Sequence, residues 1–135
     1  MLVRSDFVAT DWGTVGARRA QKTPHNQGGW EMFHTWHAGA DCLSPVGYAA
    51  IRGTGDKAWW GWPSSEKVEK EVSSWFGAKS LDEEKAAVGR LNKAAMEDVI
   101  YAPTGFFLSY TAWRKNVTGI VKGPLPFFWG VSKTA

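Results

Sequence analysis

The chain contains a single cysteine, Cys42, so an internal disulfide and a cysteine-built zinc site are both excluded. Large aliphatic residues and phenylalanine are scarce. Leu, Ile, Val and Phe together make up 27 of 135 residues, the lower edge for a chain that folds around a core. No stretch approaches eighteen uninterrupted apolar residues, so no membrane span is predicted. The first ten residues carry Arg4 and Asp6 in place of a continuous apolar run and do not read as a secretory signal. No run of five Lys or Arg occurs, and sixteen basic residues face thirteen acidic ones, so no nucleic-acid partner is expected. Gly-x-Ser-x-Gly and Gly-x-Gly-x-x-Gly are both absent, and neither supports an enzyme.

Nine tryptophans and sixteen alanines lift the apolar fraction to 44%. Aromatic rings are therefore expected to carry much of any core. Charged residues of both signs are interspersed, which argues against disorder. The length fits one domain or a piece of a larger one.

Residues 2–9 read as a strand, with Val3, Phe7 and Ala9 on one face. Asp11 is placed to cap a helix over 12–22, with Arg18, Arg19 and Lys22 at its basic end and Thr23-Pro24 as its stop. Residues 30–36 read as a second strand, which completes a βαβ unit. Residues 37–63 are rich in Gly, Pro and small side chains. They read as a long connection with a short helical segment near 46–52. Ser64 or Ser65 caps a helix with Val68, Val72, Trp75 and Phe76 on one face, closed by Gly77. Ser80-Leu81-Asp82-Glu83 is a capping box opening a second helix. Its apolar stripe is Leu81, Val88, Leu91, Ala95 and Val99, and Pro103 ends it a residue or two earlier. The pair forms an αα-hairpin. Aromatic strands are expected at 106–113 and 119–122, and an extended tail at 124–129. The fold class is thus mixed α+β within α/β.

Several residues invite a chemical reading. Asp41, in a loop of small residues before Pro45, is poised either to meet a cation or to form an Asx-turn. On residue chemistry alone the turn comes first. His34 and His37 are spaced so that a strand would point them to opposite faces, with no third ligand near, so no metal or cofactor is expected. Cys42 lies near Asp41 and has no cationic neighbour in sequence, and a nucleophilic role would need a base. Asn116-Val117-Thr118 matches a glycosylation acceptor, a pattern common by chance. Trp75 reads as core, and Trp12, Trp30 and Trp36 as packing residues. Trp59, Trp60 and Trp62 lie in a Gly/Pro-rich connection, where aromatics can line a ligand cleft, with packing the first reading for at least two of the three.

The order of these pieces resembles a known family. Residues 5–19 are similar to a strand, then Asp-Trp, then a helix ending in basic residues. Trp36 with Gly39-Ala40-Asp41 resembles a Gly-Trp…Ala-Asp segment followed by proline. Gly61-Trp62-Pro63 resembles an aromatic turn before a helix, and residues 81–105 a capped helix running into a Val/Ile-x-x-Pro strand. Arg114-Lys115-Asn116-Val117-Thr118-Gly119 and Trp129-Gly130-Val131-Ser132-Lys133 resemble the closing motifs. Together they resemble the C-terminal portion of the family 5 extracellular solute-binding proteins, the dipeptide-, oligopeptide- and nickel-type receptors of ABC importers.

The resemblance implies a C-terminal fragment of a two-lobe periplasmic-binding-protein (type II) fold. Residues 1–37 would close the second lobe, 38–63 form the return crossover, and 64–135 belong to the first lobe. It implies binding of a peptide or similar small solute in the interlobe cleft and delivery to ABC permease subunits in the membrane, without catalysis. It also implies a periplasmic location and a missing N-terminal part of the same receptor. The matching position for a ligand's α-ammonium group is Asp41, which puts cation binding ahead of the turn. Trp36, Trp59, Trp60 and Trp62 are the further cleft candidates. The spacing from Trp36 to Asp41 is longer than in the common peptide-type pattern, which leaves the ligand open. The alternative is a structural or assembly module that has lost its ligand. An enzyme using Asp41 with His37 or His34 ranks last.

Overall fold

Three side chains one residue ahead of a helix set most of the regular structure. A computed structural model describes residues 5–134. Asp11 caps helix α1, Trp12–Arg19: its carboxylate accepts the Thr14 N–H at 3.0 Å and the Thr14 hydroxyl at 2.6 Å. Those bonds stabilise the ionised form and lower the Asp11 pKa. α1 ends at Arg19, three residues short of the expected 12–22.

Ser65 caps helix α2, Glu66–Phe76, and Ser80 caps helix α3, Leu81–Glu97. In α3 the Ser80 hydroxyl accepts from the Glu83 N–H, while the Glu83 carboxylate reaches back to the Lys79 N–H at 2.7 Å. The capping box therefore closes one residue further upstream than the usual form. α2 and α3 pack as the expected hairpin over Ile51, Val68, Val72, Leu91, Ala94 and Ala95, with Tyr48, Ile100 and Tyr101 at its margin. Each large aliphatic side chain here contributes about 1.5–3 kcal/mol by leaving water. The alanines let the helices approach closely. The buried stripe of α3 is Ala87, Leu91, Ala94 and Ala95, and Leu81 and Val99 stay exposed. The hairpin is also tied at its open end, where the buried Ser65 hydroxyl donates to Asp98 and accepts the Val68 N–H. Trp75 is only half-buried and Phe76 is exposed, so the core reading holds for Val68 and Val72 but not for this aromatic pair.

α3 stops before Pro103 has any part in it. Val99 takes a left-handed conformation (φ 51°), and the Ile100 N–H turns back to the Ala95 carbonyl at 3.2 Å. This is the six-to-one bond of a Schellman ending, with Ile100 folded onto the core. A β-branched residue is strained there, so the core contact of Ile100 opposes that strain.

The strands depart most from expectation. Of the strand at 2–9, residues 2–4 lie outside the described residues, and 5–9 carry no strand pairing among the described residues. Residues 30–36 are irregular, so no βαβ unit forms among the described residues. Residues 106–113 carry no regular structure, and no backbone hydrogen bond joins them to the rest of the described chain. The pairing that exists is short. β1, Val117–Thr118, runs antiparallel to β2, Ser132–Lys133. Asn116 braces it by donating its amide to the Thr134 carbonyl at 2.9 Å. The stretch 119–122 contributes only an isolated bridge, Val121 to Phe127, and Phe127 stacks on Trp129. Short 3-10 turns at His25–Gln27, Gly39–Leu43, Ala49–Ile51 and Gly55–Lys57 shape the connection between α1 and α2. Among the described residues, no helix is long and apolar enough to cross a membrane.

Candidate functional site

An open concavity of about 660 Å³ lies between the end of α1 and the segment 49–62. Its aromatic wall is Trp59, Trp60 and Trp62, and its charged rim is Lys22, Arg52, Asp56 and Lys57. The wall is built from a tight turn. The Trp62 N–H donates to the Trp59 carbonyl at 2.9 Å, Gly61 takes φ 103°, and Trp62 itself sits at φ 47°. A bulky residue pays for that left-handed geometry in strain, which is a feature of sites where orientation matters. The turn is fastened from behind by the Gly55 N–H, which donates to the Pro63 carbonyl at 2.9 Å.

The rings form a continuous network. Trp59 and Trp60 lie 4.8 Å apart at 61°, and Phe33 meets Trp59 at 5.6 Å and Trp30 at 4.7 Å. Trp30 approaches Trp62 at 6.4 Å. On the other side His37 contacts Trp59 at 5.3 Å and Tyr48 at 4.9 Å, and Tyr48 contacts Tyr101 beside the helical core. Burial raises the pKa of both tyrosine hydroxyls.

Two cations are set into the network. The Arg19 guanidinium lies 3.6 Å from the Trp60 ring centre, 4.9 Å from Trp12, 5.4 Å from Trp59 and 5.9 Å from Phe33. The Lys22 ammonium lies 4.6 Å from Trp62 and 2.7 Å from Asp56. That hydrogen bond and charge hold the Asp56 carboxyl below its usual pKa. Arg52 makes a two-pronged pair with Glu69 at 2.9 and 2.6 Å, and the Gly53 N–H adds a third bond to the same carboxylate at 2.8 Å. The pair lowers the Glu69 pKa and raises that of Arg52, in each case mainly through the shared hydrogen bonds. It fixes the loop floor to α2.

The expected site residues divide into two groups. Trp59, Trp60 and Trp62 come together on one wall. Asp41 and Trp36 do not line that concavity. Asp41 is exposed in the Gly39–Leu43 turn, and its carboxylate has no hydrogen-bond partner among the described residues. The turn after it is held by Ser44, whose hydroxyl accepts the Gly47 N–H at 3.3 Å, and not by an Asx-turn. Trp36 is exposed and meets Phe107 edge-on at 6.5 Å. His34 sits near Phe7 and His37 in the aromatic network, so they do not converge on Asp41. Sequence reasoning missed Arg19, Lys22, Arg52 and Asp56. For Arg19 a signal existed: it lies seven residues after Trp12, on the same face of α1.

No family model matches the chain. Over 131 residues it is 29% identical to a protein of Sinorhizobium fredii (strain NBRC 101917 / NGR234) named "Probable peptide ABC transporter periplasmic-binding protein". The match takes in 97% of this chain and 25% of that relative, so the chain spans about a quarter of the protein it resembles. The similarity is to part of an ABC-transporter binding component.

Proposed function

We propose that the chain is part of the solute-binding component of an ABC importer, of the family 5 type, and takes up a peptide or similar small solute. The observation that carries this reading is the tryptophan wall of the open concavity, present in a chain similar along nearly its whole length to part of a peptide-type binding protein. An open, one-sided concavity suits a cleft whose second wall comes from polypeptide beyond this chain. Closing such a cleft removes water from the rings and strengthens every polar contact inside. The closed receptor would dock on permease subunits in the membrane, in the periplasm, with no covalent step.

In this reading Trp59, Trp60 and Trp62 supply broad contact area with few rotors. Asp41 offers to an α-ammonium group a carboxylate with no hydrogen-bond partner among the described residues, and Trp36 stands five residues before it. Because Asp41 lies off the concavity, the two contact regions would meet different parts of one solute.

The test is a tryptophan-fluorescence titration of the 135-residue chain with Ala-Ala-Ala and with its N-acetylated form. Binding of the free tripeptide, weakened by Trp60→Leu and by Asp41→Ala, supports the reading. Binding that Asp41→Ala leaves unchanged removes Asp41 from the site. No response to either peptide overturns solute binding by this chain. A second reading, an assembly module, is favoured by the exposed aromatics Phe106, Phe107 and Tyr110. Concentration-dependent association in sedimentation, with no peptide response, would select it.

A further inference from the structure

The turn that carries Trp59 and Trp60 belongs to neither helix nor strand, so its backbone alone does not fix where these indoles point. One side chain touches both from a rigid element. Arg19 closes α1, and the helix places it two turns beyond Trp12 on the same face. Its guanidinium meets the faces of Trp12, Phe33, Trp59 and Trp60. Its Nε is buried and has no hydrogen-bond partner among the described residues. A buried donor left this way is costly, so the ring faces are what compensates the charge. Guanidinium suits this place better than ammonium, being planar and weakly hydrated.

The backbone of the same residue works on the other end of the wall. The Arg19 carbonyl accepts the Trp30 indole N–H at 3.0 Å, and Arg18 Nε donates to the Gly29 carbonyl at 2.9 Å. Trp30 then approaches Trp62. Gly29 is required for this closure, since a Cβ there would lie 1.7 Å from the Thr23 carbonyl oxygen.

We propose that Arg19 is a positioning residue for the candidate solute site: it does not line the concavity, and it fixes the orientation in which Trp59 and Trp60 present their rings to it. The proposal rests on the reading of that concavity as the solute site. Its first readout is independent of any solute. Two indoles 4.8 Å apart couple as an exciton pair, and their far-ultraviolet circular-dichroism couplet is the part of the signal that Trp60→Phe removes, the wider Trp30–Trp62 pair remaining. Arg19→Met, which keeps the stem without the charge, is expected to abolish the couplet. Arg19→Lys, which keeps the charge without the planar face, is expected to reduce it. Helix content from α2 and α3 should be unchanged in both.

The second readout is affinity for Ala-Ala-Ala. Arg19→Met and Trp60→Phe should each weaken it about tenfold, the size of one desolvated cation–ring contact. The double variant should lose less than the sum of the two single losses, because Arg19 acts through Trp60 and Trp59. An unaltered couplet in Arg19→Met, or additive losses in the double variant, overturns the proposal. If the wild-type chain binds no tripeptide, the solute reading fails, and the couplet alone decides whether Arg19 orients the rings.

Discussion

Glu69 is the carboxylate on which the floor of the concavity depends, and replacing it gives a sharp test. It accepts three hydrogen bonds, two from Arg52 and one from the Gly53 N–H. Bonds to charged groups contribute about 1.5–3 kcal/mol each when well buried. Here the Arg52 and Glu69 side chains are 33% and 27% exposed, which places the whole cluster at about 2 kcal/mol after screening by water. With a urea slope of about 2 kcal/mol/M for a chain of this size, Glu69→Gln should lower the midpoint by about 1 M at pH 7. Helix dichroism, which follows α2 and α3, is the appropriate signal.

The pH dependence has a definite sign. The folded-state pKa of Glu69 lies below its ordinary value of 4.5. Its contribution is therefore fully present above pH 4.5 and is lost as the pH falls through the depressed value. The gap between wild type and Glu69→Gln should be widest near pH 7 and shrink steadily below pH 4.5. Arg52, shifted upward from an already high value, stays charged throughout. A gap that is absent at pH 7, or that persists undiminished in strong acid, would refute the argument.

Leu91→Ala removes the largest fully buried side chain of the hairpin and should cost about 3 kcal/mol, read as a lower urea midpoint with unchanged slope. Gly53→Ala would set a Cβ 2.8–2.9 Å from Ser65 backbone atoms, and should lose about 1–3 kcal/mol by the same assay. Ser80→Ala frees the Glu83 N–H at the start of α3 and should lower stability by about 1 kcal/mol.

The helices were legible because their signals are local. Asp11, Ser65 and Ser80 each act on an N–H three residues away, so the sequence displays cap and target together. The strands were not, because alternation specifies a face but not a partner. Residues 30–36 and 106–113 have strand-like composition, yet nothing in the described chain pairs with them. The end of α3 was misjudged for a related reason. Pro103 is a visible stop, whereas the left-handed Val99 depends on Ile100 finding the core.

The candidate site was half legible on the same grounds. Trp59, Trp60 and Trp62 share a wall because they share a turn. Arg19 reaches Trp60 across forty-one positions of chain, and Lys22 reaches Asp56 across thirty-four. Such pairings are settled by packing and carry no local mark. Asp41, picked out by resemblance, is not among the residues that line the concavity.

The unpaired stretch 106–113 has a consequence for handling the protein. A protease with an aromatic preference needs several consecutive extended, accessible residues to thread its active site. Phe106, Phe107, Leu108 and Tyr110 are accessible, at 69–97% exposure, in a segment that no backbone hydrogen bond among the described residues holds down. Chymotrypsin should nick the chain there first, separating the helical hairpin from the β1–β2 ribbon. Any polypeptide that paired with this stretch would hide the cleavage sites, so the rate of that first cut is a direct gauge of whether the segment has found a partner.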